Sequence, residues 1–203
     1  MNRIIVAITG ASGAMLGERL IRFLLNDGHE VHAIISPSGR AVFEEELGVR
    51  LGESHVDIRK NFLKHYPHSK KLHIVPADDF TARISSGSSE INAMVIAPCS
   101  MSTAGAVAHG ITLNLIHRAA GVSIKEKRPL VLVPRESPMS AIHLRNLLTL
   151  SEAGVYVVPA TTAFYHKPKT VEEMVDFTLG RVLDILKIKH KLFTRWRETS
   201  AEE

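Results

Sequence analysis

Three groups of residues have types and spacings that could carry chemistry. The first is "ITGASGAMLG" at residues 8–17, where Gly10, Gly13 and Gly17 stand between an apolar run and a segment of helical period. Small residues there let backbone N–H groups and a helix N-terminus approach an anion. The second is a supply of hydroxyls, "SSGSS" from Ser85 to Ser89 and "CSMST" from Cys99 to Thr103. The third is cationic: Arg118, Lys125 and Arg135 fall within one short stretch, "NLIHRAAGVSIKEKRPLVLVPRE". Arginine offers phosphate a planar fork and lysine a compact charge, so a phosphorylated substrate fits this set; solvated helix-face cations are the competing reading. Cys99 is the only cysteine, which excludes an intramolecular disulfide and a multi-cysteine metal site. No histidine is placed beside it by the sequence, and a buried structural thiol is the expected role.

Positioning these groups requires a particular scaffold. Short apolar runs ("RIIVAI", "EVHAII", "AMVIAP", "PLVLVP", "VYVVP") alternate with longer segments of helical period, such as Leu16, Leu20, Ile21 and Leu24. Near-continuous Val/Ile/Leu strands of this kind belong to a parallel sheet covered on both faces. The expected class is α/β: a doubly wound, Rossmann-like or flavodoxin-like domain spanning residues 1–203, with residues 187–203 as an extension packing on the site or on a neighbouring subunit. Ligands in such a sheet sit beyond the carboxyl ends of the strands. Those ends carry Ser12, Ser36, "CSMST", Arg135 with Glu136, and "ATTAFYHKPK". A helix is expected in "DIRKNFLKHY", and a further one from Thr170, where "TVEE" offers a capping box of Thr170 with Glu173. Val171, Met174, Val175, Thr178, Val182 and Ile185 form its apolar stripe, with Arg181 on the flank.

Composition is that of a globular protein, with 45% hydrophobic and 23% charged residues among 203. There is neither a run of about 18 apolar residues nor a signal-peptide pattern after "MNR", so a soluble, cytoplasmic protein without a membrane segment is expected. The net charge of +4 is drawn most visibly from "KIKHKLFTRWR". With no aromatic interleaving or nucleic-acid motif, that run reads as a solvated face or a subunit contact.

The glycine turn alone would also suit a nicotinamide-dependent short-chain dehydrogenase, and Tyr165 to Lys169 supplies a Y-x-x-x-K string. That pair must share one helix face, and Pro168 between them forbids it while pushing Lys167 out of helical geometry. The second strand also ends at Ser36 and Pro37 instead of the acidic residue that would hold a ribose.

Taken together, "TGASGA", "SGS", "MVIAPCSMST", "NLIHRAAGVSIKEKRPLVLVPRE", "SAIHLRNLLTLSEAG" and "FYHKPKTVEEMVDFTLGRVLDIL" resemble the UbiX-type flavin prenyltransferases from about Arg3 to Trp196. The resemblance implies a metal-independent enzyme that joins the dimethylallyl group of dimethylallyl phosphate to reduced FMN. Its product, prenylated FMN, would serve a UbiD-type decarboxylase in ubiquinone synthesis or aromatic acid degradation. It also implies a homo-oligomer, commonly a dodecamer, with sites formed between subunits. Carried over by position, the FMN contacts would be Gly10, Ala11, Ser12, Ser36, Ser100, Met101, Ser102, Thr103 and Arg135. The dimethylallyl phosphate contacts would be Ser86, Arg118, Lys125, Glu136, Tyr165 and Arg181, with Trp196 lying over the site. Ser12 and Glu46 would relay protons, Lys125 with the arginines would stabilise the departing phosphate, and Glu136 would orient that cluster. Two positions depart from the family pattern: Pro37 follows Ser36 directly, and Gly121 stands where relatives often have Asp. An FMN-dependent decarboxylase of peptidyl- or phosphopantothenoyl-cysteine is the alternative on the same fold. Its PxMNxxMW string is missing, with "SPMSAIHL" in the comparable place. A flavin-binding carrier without turnover is the third reading, against which Glu46, Lys125, Glu136, Tyr165 and Arg181 all count.

Overall fold

The computed structural model describes residues 1–66 and 70–196. Strands β1 (Arg3–Ile8), β2 (Glu30–Ile35), β3 (Leu72–Ile74), β4 (Ala93–Cys99), β5 (Leu130–Pro134) and β6 (Tyr156–Val157) form one sheet in the order β3-β2-β1-β4-β5-β6. Every pairing in it is parallel. The helices are α1 (Ala14–Asn26), α2 (Pro37–Leu47), α3 (His55–His65), α4 (Met101–Ala108), α5 (Leu115–Lys125), α6 (Ala141–Glu152) and α7 (Val171–Ile185).

Strand alternation divides the core in two. Ile4, Val6 and Ile8 of β1 pack with Val95 of β4, with α1, and with Leu179, Val182 and Leu183 of α7. Ile5 and Ala7 point the other way, with Met94 and Ile96, and meet Ala104 of α4 and Leu115, Ile116, Ala119 and Ala120 of α5. Successive side chains of a strand face opposite sides, so a strand covered twice must be apolar throughout. The doubly wound α/β class expected from the strand runs is the class observed.

Four local features differ from the sequence reading. β3 was hidden in "LHI", a three-residue edge strand too short to show a pattern. The helix expected in "DIRKNFLKHY" starts earlier, at His55, because Ser54 caps it by accepting from the Asp57 N–H at 3.1 Å. Thr170 caps α7 as expected, accepting from the Glu173 N–H at 3.2 Å, but the Glu173 carboxylate reaches back to the Lys169 N–H instead of closing a box on Thr170. The stripe of α7 is also displaced. Val171 is 61% exposed, and α7 is buried only at Thr178, Leu179, Gly180, Val182 and Leu183.

Residues 187–196 fold back onto their own chain, with Ile188 buried in the α7 side of the core and Leu192 packed against it. Phe193 tilts onto Phe177 at 4.9 Å. Arg197 of the basic run lies outside the described residues. Among the described residues no helix is long and apolar enough to cross a membrane.

Candidate active site

The strand order reverses between β1 and β4, and the crevice beyond their carboxyl ends is where an open α/β sheet binds its ligand. Thr9 ties the two loops together there. Its hydroxyl donates to the Pro98 carbonyl at 2.8 Å and accepts from the Ser100 N–H at 2.7 Å. Gly13 precedes α1 in the left-handed region at φ 110°, a conformation that glycine adopts without strain. At Gly17 a Cβ would lie 2.4 Å from the Ala97 carbonyl oxygen, so α1 approaches β4 more closely than any other residue would allow. Gly13 and Gly17 thus set backbone conformation and helix approach.

The anion at the head of α1 is part of the protein. The Glu46 carboxylate, from α2, accepts from the N–H groups of Gly13 (2.9 Å) and Ala14 (2.7 Å) and from the Ser12 hydroxyl. Partial burial pushes its pKa up, but the hydrogen bonds from Ser12, Ala14 and Gly13, with the charge of Arg135, outweigh burial and hold the carboxyl below its ordinary range. Ser12 is exposed and Arg135 donates from Nε to its carbonyl at 3.2 Å. Ser12, Glu46 and Arg135 therefore meet at one point. Beside them a cavity of about 260 Å³ is lined by Ser12, Gly13, Arg135 and Thr162, and by Val171, Met174 and Val175. The apolar residues at the start of α7 that leave the core face this cavity, which explains the displaced stripe.

Two further strand ends supply hydroxyls. Ser36 caps α2 through the Gly39 N–H at 2.9 Å, and Pro37 takes the first helical position, where a missing N–H costs nothing. The Ser36–Pro37 departure is thus a sound helix start. Ser36 also borders a larger cavity of about 620 Å³ between α2, α3 and β3. At α4, Ser100 accepts from the Thr103 N–H, and its hydroxyl lies 3.0 Å from both the Ser102 and Thr103 hydroxyls. Hydroxyls and first-turn N–H groups together form an anion cradle at a helix N-terminus. Gly10 and Ala11 lie on the β1 turn and Met101 is buried in the first turn of α4. Cys99, one residue before the Ser100 cap, is fully buried and burial pushes its thiol pKa up, leaving it a structural residue.

The remaining predicted site residues form two groups, with Glu136 in neither. Arg118, on α5, donates from Nε to the Ser85 carbonyl at 3.0 Å beside Ser86, whose hydroxyl is 2.9 Å from that of Ser88. Lys125 ends the same helix, paired with Glu126. Gly121 has open space where a Cβ would stand, so the departure there disturbs no packing. Tyr165, Arg181 and Trp196 belong to the α7 side. The Tyr165 ring meets Trp196 edge-on at 5.1 Å, and Arg181 pairs with Asp184 at 2.9 Å. Lys167 is left-handed at φ 52° and no helix runs through Tyr165–Lys169, as Pro168 demands. Glu136 follows β5 and accepts from the Ser137 N–H at 3.0 Å. Because α5 and α7 cover opposite faces of the sheet, one protomer brings Ser12, Glu46 and Arg135 together but holds Arg118 and Lys125 apart from Tyr165 and Arg181 by two packing layers, about 20 Å.

Several contributors escaped sequence reading. Thr9 was visible only as a hydroxyl at a strand end. Arg128, not a predicted site residue, shapes the serine loop by donating to the Ser89 carbonyl at 2.7 Å and to that of Gly87. Asp184 anchors the α7 cations: hydrogen bonds from Arg195 and His190 hold its carboxyl below the ordinary range. Thr9 and Arg128 act through partners distant in sequence, and Asp184 through the segment that folds back after α7.

A doubly wound sheet with hydroxyls gathered at its switch point suits a phosphate-bearing ligand, and the Flavoprotein family model matches residues 1–195, which makes the chain a flavoprotein. Within that class the chain belongs to the flavin prenyltransferase family: it is 46% identical over 199 residues to flavin prenyltransferase UbiX of Pseudomonas aeruginosa, covering 97% of this chain and 95% of the relative. The structure of AnUbiX (PadA1) in complex with FMN and dimethylallyl pyrophosphate superposes with a TM-score of 0.84 at 36% identity, covering 96% of this chain and 97% of that one. A dodecameric FMN-dependent UbiX-like decarboxylase of Escherichia coli O157:H7 gives a TM-score of 0.83 at 38% identity, covering 96% and 98%. The phosphopantothenoyl- and peptidyl-cysteine type decarboxylases among the neighbours are 16–20% identical and share the fold alone.

Proposed function

We propose that this protein transfers the dimethylallyl group of dimethylallyl phosphate to reduced FMN, releasing phosphate, and that the prenylated FMN serves a UbiD-type decarboxylase. The observation that carries this reading is the Glu46 carboxylate held on the Gly13 and Ala14 N–H groups beside Ser12, whose carbonyl accepts from Arg135, at the switch point of the sheet. FMN fits the residues present: the hydroxyls of Ser100, Ser102 and Thr103 with the first turn of α4 suit its phosphate. Gly10, Ala11, Ser12, Ser36, Met101 and Arg135 border the remaining crevice. When bound, the reduced flavin supplies the nucleophilic ring.

The chain's own residues account for the rest. Loss of phosphate from an allylic carbon gathers negative charge on the departing oxygens, which Arg118, Lys125 and Arg181 neutralise without a metal while Tyr165 donates a hydrogen bond. Glu136 orients that cationic cluster, and Trp196 holds the Tyr165 ring edge-on. Glu46, ionised near neutral pH, draws a proton through the Ser12 hydroxyl; a carboxyl held below its ordinary range is a poor acid and a ready acceptor.

A small prenyl phosphate cannot span the sheet, so the site is completed between copies: the Ser86, Arg118 and Lys125 face of one protomer meets the Tyr165 and Arg181 face of another. Exposed Ile142, Leu144 and Leu148 on α6 support a homo-oligomer in which such apolar surface is covered, and the dodecameric relative supplies the number of copies we propose. We place the protein in the cytoplasm, with ubiquinone synthesis or aromatic acid degradation downstream. The test is anaerobic incubation of the purified protein with reduced FMN and dimethylallyl phosphate. A flavin mass gain of one prenyl group with equimolar phosphate release is expected; no adduct would refute the transferase reading.

A further inference from the structure

At the opposite end of the sheet from the crevice, Glu30 and His32 project from β2 on the same face, and His73 stands beside His32 on β3 in register. Residues two apart on a strand share a face, and parallel pairing brings the third side chain alongside. The Glu30 Oε1 atom lies 3.3 Å from the His32 Nε2 and 3.2 Å from the His73 Nε2. One ligand atom from each of the three residues falls within 4.8 Å of the others.

We propose that Glu30, His32 and His73 form a binding site for a divalent transition-metal ion of the zinc class, separate from the flavin crevice. In a tetrahedral site with bonds of about 2.0–2.1 Å, neighbouring ligand atoms sit about 3.3 Å apart, which is the spacing already present around the glutamate oxygen. Two imidazoles and a carboxylate suit zinc and its neighbours, whereas magnesium and calcium want oxygen donors. Charge favours a cation despite Arg3 nearby. Arg3 is shared between Glu30 Oε2, at 3.1 Å, and Glu90, so two carboxylates face one guanidinium before the ion arrives. Arg3 also fixes the glutamate, leaving Oε1 turned to the histidines in the manner of an outer-shell partner.

The His32 and His73 rings stack at 4.8 Å with 22° between their planes. Binding must turn them so that both nitrogen lone pairs converge, and His73, with its side chain 47% exposed, has room to do so. The fourth position is left to water. The ion would clasp the three-residue edge strand β3 to β2, an element that has few backbone bonds of its own. Because nothing in this cluster touches Ser12, Glu46 or Arg135, the clasp acts on the stability of the sheet edge and takes no part in prenyl transfer.

The test uses untagged, chelator-treated full-length protein titrated with zinc and, separately, with cobalt. One equivalent bound per chain is expected, with the visible bands of tetrahedral cobalt and a zinc-dependent rise in melting temperature that magnesium does not produce. His73→Gln, on an exposed edge, and His32→Gln should each remove the bands and reduce zinc affinity at least tenfold. His109→Gln, a surface histidine elsewhere, should change neither. Binding that is undiminished in both variants, or equal for magnesium and zinc, would overturn the proposal. Far-UV circular dichroism of each variant separates loss of the site from loss of the fold.

Discussion

Replacing Glu46 with glutamine separates its structural part from its chemical one. The carboxylate accepts from two backbone N–H groups at the head of α1 and from Ser12, whereas a glutamine amide there would keep one acceptor oxygen while turning an NH₂ toward donors. An anion at a helix N-terminus is worth about 0.3–1 kcal/mol at an exposed position, and charged hydrogen bonds are roughly twice as strong as neutral ones. Glu46 is exposed enough for solvent to screen much of this. The expected cost in urea unfolding at neutral pH is therefore about 1 kcal/mol. The sign with pH follows from the lowered folded-state pKa: the contribution is fully present above the ordinary value of 4.5 and disappears as pH falls through the lower folded value. Wild type and Glu46→Gln should converge in stability at acid pH. Turnover should fall far more, by about 10²- to 10⁴-fold, since the proton acceptor is gone, while FMN affinity stays within a few-fold. A variant that prenylates at the wild-type rate would refute the relay. A stability loss of several kcal/mol with proportionate loss of FMN binding would make Glu46 a structural plug.

Other outcomes follow from the same geometry. Arg181→Ala should weaken use of dimethylallyl phosphate by about 10- to 100-fold, the worth of one charged hydrogen bond, with FMN binding intact by fluorescence titration; equal loss of both would contradict its assignment. Gly17→Ala should destabilise by about 1–2 kcal/mol in urea, overpacking against the Ala97 carbonyl and Ile8 outweighing the gain in helix propensity. The Cys99 thiol should stay silent to a disulfide reagent in native protein and react only on unfolding, because it is fully buried.

What the sequence revealed depended on how locally each feature is encoded. The parallel sheet was legible because β1 after Arg3, β4 and β5 are buried on both faces and are apolar throughout. β3 was not, since three residues show no period and its identity comes from pairing with β2. The glycine turn showed itself through residue type, but its reading as an anion cradle was incomplete: Glu46, 33 positions on from Gly13, already occupies the head of α1. Thr9 and Arg128 do their work through long-range hydrogen bonds that no spacing announces, and Asp184 through His190 and Arg195, brought to it only where the segment after α7 folds back. Arg118 and Arg181 were picked out as cations beside site elements; that the sheet stands between them could be seen only once α5 and α7 were assigned to faces.

The most direct test of a transferase site shared between copies is subunit complementation. Arg118→Ala and Arg181→Ala protomers, each reduced about tenfold or more alone, are dissociated, mixed in equal amounts, reassembled and assayed anaerobically for prenylated FMN. If the α5 face of one copy meets the α7 face of another, random assembly leaves about a quarter of sites with both arginines, and activity should return to about that fraction of wild type. Activity that stays at the level of the separate variants after verified mixing would contradict a shared site.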